Sequence, residues 1–100
     1  MVKHIILWQL KDEIQGEEKE TVKTGIKAGL EGLAGQIPGL IDIKVQTECL
    51  TSSNVDVMLD STFVDENTLK NYASHPAHVK VADNKVRPFT KTRACMDFEA

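Results

Sequence analysis

The sequence has 100 residues, which is room for one domain spanning residues 1–100. Its 12 lysine and arginine residues against 15 aspartate and glutamate residues give a formal net charge of −3, so it lacks the basic excess typical of nucleic-acid binders. Hydrophobic residues make up 41%, but no apolar run approaches the roughly 18 residues of a membrane span. Since the first residues also lack a signal-peptide pattern, we expect a cytoplasmic protein that binds neither nucleic acid nor membrane and keeps Cys49 and Cys95 reduced.

The first predicted strand, over residues 2–10, carries large apolar side chains on both faces. Alternation puts His4, Ile6 and Trp8 on one face and puts Ile5 and Leu7 on the other. A helix layer on one side of such a strand leaves the other side to be covered by something else.

A long helix is predicted next, from Gly16 to the Pro38-Gly39 pair. Acidic residues in its first turn favour the positive end of the helix dipole, and the Pro-Gly pair ends the helix. Apolar residues recur at spacings of three and four: Val22, Ile26, Leu30, Leu33 and Ile37.

Two strands, a broken helix and a last strand complete the pattern. Alternating residues predict strands around 41–45, 55–63 and 89–98. Between the last two strands, Asp65 is a good helix N-cap and Pro76 interrupts the helix. The order β-α-β-β-α-β is that of the ferredoxin-like α+β fold, in which both helices lie on one face of an antiparallel sheet.

The uncovered sheet face predicts a homodimer. Helices cover one face only, and a second copy of the chain is the simplest cover for the other apolar face. Replacing an outward apolar residue of the first strand by a charge, with Trp8→Glu as the sharpest choice, is then expected to disrupt dimer formation and solubility.

The segment from Tyr72 to His78 holds the best candidates for chemistry. Histidine has an ordinary pKa of about 6.5, which suits proton transfer near neutral pH, and a tyrosine hydroxyl can donate a hydrogen bond to an oxyanion. Tyr72 ends one helical piece and His78 lies in the first turn of the next, so the break at Pro76 lets both point into one cavity. The alternative is that Tyr72 is a core aromatic residue and that His75 only caps the second piece.

Further residues are predicted to contact a ligand: His4, Ile6, Trp8, His75 and Val79. The position of His4 suits it either to line a cavity or to make a hydrogen bond within the sheet. No metal site is expected, because His75 and His78 have no third ligand placed near them by spacing. Phosphate loops, nucleotide-binding fingerprints and G-x-S-x-G elbows are absent from the sequence, so we also predict no cofactor.

Segments spread over the whole chain share a pattern with one known family. They are Met1-Val2-Lys3-His4-Ile5-Ile6-Leu7-Trp8, Leu10-Lys11-Asp12-Glu13, Ile37-Pro38-Gly39-Leu40, Asp60-Ser61-Thr62-Phe63, Tyr72, His75-Pro76-Ala77-His78-Val79 and Asp97-Phe98. On these residues the chain resembles the stress-responsive, dimeric α/β-barrel domain proteins, and the H-P-A-H segment after a tyrosine is the most specific part. The resemblance implies a ferredoxin-like monomer that pairs sheet to sheet into a dimeric α/β barrel.

The resemblance implies more than one function. A plant member of the family is a polyketide cyclase that performs an intramolecular aldol closure without a cofactor, and its tyrosine and second motif histidine match Tyr72 and His78. One interpretation is a homodimer that binds a small apolar or aromatic carbonyl compound in a cavity of each subunit, without turnover. A second is a cofactor-independent, polyketide-cyclase-like lyase that uses His78 and Tyr72. A third is a cofactor-free monooxygenase of the related antibiotic-biosynthesis type.

Overall fold

The computed structural model describes all 100 residues as a four-stranded antiparallel sheet with helices on one of its faces. The elements in chain order are β1 (Val2–Leu10), α1 (Gly16–Glu31), β2 (Leu40–Gln46), β3 (Val57–Phe63), α2 (Glu66–Ser74), α3 (Pro76–Val81), a π-helical turn (Ala82–Val86), a 3-10 turn (Arg87–Phe89) and β4 (Thr90–Glu99). The strand order is β2-β3-β1-β4, which confirms the predicted ferredoxin-like α+β fold. None of the helices combines the length and the apolar character needed to cross a membrane.

The core lies between one face of the sheet and α1. β1 alternates between buried and half-buried residues along its whole length, and Ile6 at its centre is 1% exposed. α1 places Val22, Ile26 and Leu30 in the same core, as their spacing predicts. The covered face of the sheet is therefore a close-packed base on which the side chains of β1 hold fixed positions.

The other face of the sheet is apolar and carries no helix. We call it the open face, and its apolar residues are Ile5, Leu7, Met58, Ala94, Met96 and Phe98. The strand register places Ile5 opposite Met96 and places Leu7 opposite both Met58 and Ala94. Because Met96 is 67% exposed, the uncovered apolar surface predicted from β1 is present in the folded chain.

The choice of Trp8 as an outward residue is wrong. Trp8 is 6% exposed and lies with Ile6 on the face that the helices cover. Both alternations of β1 are apolar, so its own pattern does not decide which of them faces the helices. The neighbouring strand decides it, because buried Val57 and Leu59 of β3 pair with Trp8 and Ile6.

α1 ends earlier than predicted, at Glu31 instead of at the Pro-Gly pair. The chain leaves the helix through turns, and Gly35 there has a φ of +81°, which favours glycine. Leu33 and Ile37 nevertheless remain buried, at 1% and 6% exposure. The spacing of these residues therefore indicates that they are buried, but it does not show that the helix continues to them.

The strand bounds agree closely with the sequence except in β2 and β3. β3 begins at Val57, not at residue 55. In β2, a register shift between Leu40 and Asp42 leaves Ile41 48% exposed, although it shares its alternation with the buried residues Ile43 and Val45.

Gly39 joins the connection after α1 to the start of α2. It has a φ of +81°, and a Cβ atom there would lie 2.5 Å from Thr68 Cγ2. The Gly39 carbonyl accepts a hydrogen bond of 2.9 Å from the Val64 N–H. Thr68 also closes the capping box of α2, in which its N–H donates to Asp65 Oδ1 at 2.8 Å. The close approach therefore fixes the position of the helix that leads to Tyr72.

Candidate functional site

A break between α2 and α3 brings two aromatic side chains together. His75 is extended (φ −65°, ψ 132°) and ends α2, while its Nδ1 accepts a hydrogen bond of 3.1 Å from the Ala77 N–H at the start of α3. Two residues six positions apart in a continuous α-helix would point about 120° apart around the axis. Because the chain changes direction at Pro76, the rings of Tyr72 and His78 instead lie with their centroids 4.2 Å apart.

The two rings line one cavity of about 540 Å³ between the sheet and the broken helix. β1 contributes His4 to its wall. β4 contributes alternate residues of one strand face, namely Arg93, Cys95 and Asp97. The cavity is therefore built by β1, the α2–α3 segment and β4, which are far apart in the sequence.

Tyr72 has a hydroxyl group without a partner. The residue is 2% exposed, and its hydroxyl oxygen is buried with no hydrogen bond. Burial raises the pKa of Tyr72 to about 12, although the charge of Arg93 opposes this shift. The side chain is consequently a protonated donor at neutral pH, and an unsatisfied buried group of this kind costs about 1–3 kcal/mol of folding stability.

His78 presents a neutral ring with one nitrogen free. Its Nδ1 lies 3.2 Å from the Ala73 carbonyl oxygen, and since a carbonyl only accepts, Nδ1 carries the hydrogen. Burial lowers the pKa of His78 below its ordinary value of 6.5, and the positive charges of Arg87 and Arg93 act in the same direction. His78 Nε2 is therefore an unprotonated acceptor at neutral pH, as a general base requires.

His4 forms a cluster with Cys95 and Asp97 on the cavity wall. His4 Nδ1 lies 2.5 Å from Asp97 Oδ1, and Cys95 Sγ lies 3.5 Å from the same carboxylate oxygen. The His4 ring also packs edge-on against Phe63 and Tyr72, with centroids 6.3 and 6.1 Å apart. Burial, followed by the charge of Asp97, raises the pKa of the Cys95 thiol.

A smaller pocket of about 110 Å³ extends the cavity into the core. It shares His4, Tyr72 and His78 with the larger cavity, and it adds Ile6 and Trp8 of β1. The combined space has a polar part beside the histidines and an apolar part beside the tryptophan. A ligand with a polar head and an apolar body fits this division.

The structure brings together most of the residues predicted to bind a ligand. Tyr72, His78, His4, Ile6 and Trp8 all line the cavity or its extension. The two remaining candidates lie outside both spaces: His75, which caps α3, and Val79.

Sequence reasoning missed the contribution of β4. Alternation already placed Arg93, Cys95 and Asp97 on one strand face, but it did not say which face of the sheet that was. The pairing register supplies the answer, since Asp97 lies opposite His4 and Cys95 lies opposite Ile6. The signal was therefore present in the pattern but required knowledge of the partner strand.

Comparisons with known proteins agree with this architecture. The sequence pattern of the Stress responsive A/B Barrel Domain matches residues 2–100. Olivetolic acid cyclase from Cannabis sativa is 31% identical over 86 residues, which cover 82% of this chain and 80% of the cyclase. A dimeric protein of unknown function with a ferredoxin-like fold from Bacteroides fragilis superimposes with a TM-score of 0.92 at 32% identity, over 99% of this chain and 95% of that one.

A more distant structure shares the fold. A putative antibiotic biosynthesis monooxygenase from Nitrosomonas europaea superimposes with a TM-score of 0.75 at 11% identity, over 100% of this chain and 98% of that one. At this level of identity the likeness concerns the fold and not the chemistry.

Proposed function

The chain belongs to the stress-responsive A/B barrel domain family, and from this premise we propose that it is a homodimer that binds a small apolar or aromatic carbonyl compound in a cavity of each subunit. We further propose that it transfers a proton on that compound, with His78 as general base and Tyr72 as the donor to the developing oxyanion. A relative named for a cyclase activity, at 31% identity, supports ring closure as the type of reaction.

The Tyr72 hydroxyl is the observation that carries the proposal. Its oxygen is buried without a partner, and the residue lines the same cavity as His78. A buried donor of this kind is satisfied when a ligand supplies an acceptor, and a carbonyl or enolate oxygen is such an acceptor.

The proposed reaction begins with proton transfer from carbon to nitrogen. His78 Nε2 takes a proton from a carbon beside a carbonyl group, and the electron pair of the broken C–H bond forms an enolate. The enolate oxygen accepts a hydrogen bond from the Tyr72 hydroxyl. The enolate carbon then attacks a second carbonyl of the same molecule, a carbon–carbon bond forms, and the new alkoxide takes the proton back from His78. No oxidant, reductant or cofactor is consumed.

The open face supports the dimer. It leaves Met96 67% exposed on the side away from the helices, and the similar Bacteroides fragilis protein is described as dimeric. Pairing of two such sheets would need to bury roughly 1,200–2,000 Å² in total, the usual size of a specific interface. Both cysteines are free thiols, which is in keeping with the cytoplasmic location that we propose.

A first experiment measures ligand binding through Trp8, the only tryptophan. Trp8 lines the apolar extension of the cavity, so a bound ligand is expected to change its fluorescence. We suggest β-keto esters with phenyl or alkyl tails as probes. If none of them changes the fluorescence at millimolar concentration, the proposed ligand class is wrong.

A second experiment measures proton abstraction from the same β-keto esters in deuterated water. Nuclear magnetic resonance follows deuterium entry at the carbon between the carbonyl groups, with the uncatalysed exchange subtracted. Exchange that depends on His78 supports the enzyme. Binding without exchange would instead support a binding protein without turnover, and oxygen consumption with a quinol would support a monooxygenase.

A further inference from the structure

We propose that His4, Cys95 and Asp97 form a binding site for a divalent transition-metal ion of the Zn²⁺ class. This inference goes beyond the proposed proton transfer and does not rest on it. The three side chains offer a nitrogen, a sulfur and an oxygen atom, and these atoms all lie within 4.8 Å of one another.

The distances between the donor atoms suit a tetrahedral ion. Zinc binds nitrogen and oxygen at about 2.0–2.2 Å and sulfur at about 2.3 Å, so ligand atoms around it lie roughly 3.3–3.6 Å apart. Cys95 Sγ is 3.5 Å from Asp97 Oδ1 and 4.0 Å from His4 Nδ1. The direct contact of 2.5 Å between His4 and Asp97 is shorter, and it must open by less than about 1 Å for an ion to take the place of their hydrogen bond.

The backbone holds the three residues in this arrangement. His4 and Asp97 are directly opposite each other in the β1–β4 ladder, and Cys95 is two residues before Asp97, so all three side chains lie on one face. The His4 side chain is 10% exposed, and the rings of Phe63 and Tyr72 pack against it. An ion would therefore meet a histidine ligand that is already oriented.

The donor types indicate which ion fits. A set of imidazole, thiolate and carboxylate matches a borderline ion such as Zn²⁺ or Co²⁺, whereas Mg²⁺ and Ca²⁺ take oxygen ligands. Without an ion the Cys95 thiol donates to Asp97 Oδ1 at 3.5 Å, and a bound cation would take the place of that proton and neutralise both negatively charged ligands.

Three protein ligands leave a fourth position, as in catalytic zinc sites. All three residues line the cavity that contains Tyr72 and His78. The open position would thus accept a water molecule or an oxygen atom of the cavity ligand.

Cobalt titration of the protein without an affinity tag tests the site. Tetrahedral Co²⁺ bound by a thiolate gives an intense near-ultraviolet charge-transfer band, and we expect one Co²⁺ per chain with this band, displaced by Zn²⁺. Cys95→Ser should abolish the band. Asp97→Asn should weaken the affinity for Co²⁺ at least about 10–100-fold, which is the usual cost of losing a residue that only supports a metal ligand.

Cys49→Ser is the matched control, because Cys49 is also exposed and lies in the loop between β2 and β3, outside the cluster. It should leave the band and the affinity unchanged. Absence of the band in the unsubstituted protein would overturn the proposal. So would a band that survives Cys95→Ser, a band lost in Cys49→Ser, or an affinity unaffected by Asp97→Asn. Since Cys95 and Asp97 are exposed residues of β4, circular dichroism is expected to show that these variants fold.

Discussion

The two faces of β1 differ in what they lack. On the covered face, Ile6 and Trp8 are at most 6% exposed, and Tyr72, which lines the cavity beside them, has a buried hydroxyl without a partner. On the open face, Ile5 lies opposite Met96, which is 67% exposed. The covered face therefore lacks a polar partner for one group, and the open face lacks an apolar cover.

Successive residues of one strand thus serve two separate purposes, because their side chains point to opposite faces. A ligand can pair with the Tyr72 hydroxyl without touching the open face. A second chain can cover the open face without entering the cavity. We therefore expect that substitutions separate dimer formation from ligand chemistry.

The largest expected effect is on the open face. Leu7→Glu places a charge among apolar residues and should abolish the dimer, with loss of solubility where the exposed patch remains. Light scattering should give a mass of twice 11.1 kDa for the unsubstituted chain and either a monomer or an aggregate for the variant. Thr24→Glu adds the same charge at an exposed position of α1 and should remain dimeric. A stable monomer of the unsubstituted chain at micromolar concentration would contradict the open-face interface.

The second effect concerns the covered face and compares two histidines of one motif. His78→Ala removes the proposed base and should reduce deuterium exchange of a β-keto ester about 10²–10⁴-fold. His75→Ala removes the cap of α3 and should lower the free energy of unfolding by about 0.5–2 kcal/mol while exchange continues. Equal loss of exchange in both variants would show that the motif acts through folding and not through a base. Neither variant should change the dimer mass.

The third effect has opposite signs for stability and for ligand binding. Tyr72→Phe removes a buried hydroxyl that has no partner, so the ligand-free protein should unfold with a free energy higher by about 1–3 kcal/mol. The same variant should bind and turn over the carbonyl probe less well, because the oxyanion loses its donor. Urea titration and exchange measurements on one preparation test both signs. A loss of stability would mean that the hydroxyl has a partner in the free protein.

The smallest effect is a shift of the pH profile. Exchange requires neutral His78, so it should fall as the pH drops through the pKa of this residue. Burial lowers that pKa below 6.5, and the midpoint of the profile should therefore lie below 6.5. The free energy of unfolding should also decrease as the pH falls below 6.5, because His78 binds a proton more readily in the unfolded chain than in the folded chain. A midpoint above 6.5 would contradict a lowered pKa of His78 in the folded protein.

Much of the fold follows from the sequence alone. The bounds of β1, the cap at His75 and the break at Pro76 are local features, and each is fixed by neighbouring residues through alternation or backbone restriction. The resemblance to the stress-responsive family, carried mainly by the motif around Tyr72 and His78, is also confirmed.

The rest depends on contacts between distant elements. The side taken by Trp8 depends on β3, and the entry of Asp97 into the cavity depends on the β1–β4 register. Neither is encoded in the alternation of a single strand. The His4–Cys95–Asp97 cluster could not be predicted for the same reason. Spacing along the chain indicates a metal site only when the ligands are close together in the sequence.

The close approach at Gly39 affects how sequence variation should be interpreted. Any other residue there would be strained at a φ of +81° and would push Thr68, whose side chain closes the capping box of the helix ending near Tyr72. A mutational scan scored on turnover would therefore rank Gly39 beside the cavity residues, although it lines neither space. A position in this chain can be intolerant to substitution because it holds α2 in place or because it contacts a ligand. Only a separate scan for stability would tell the two apart.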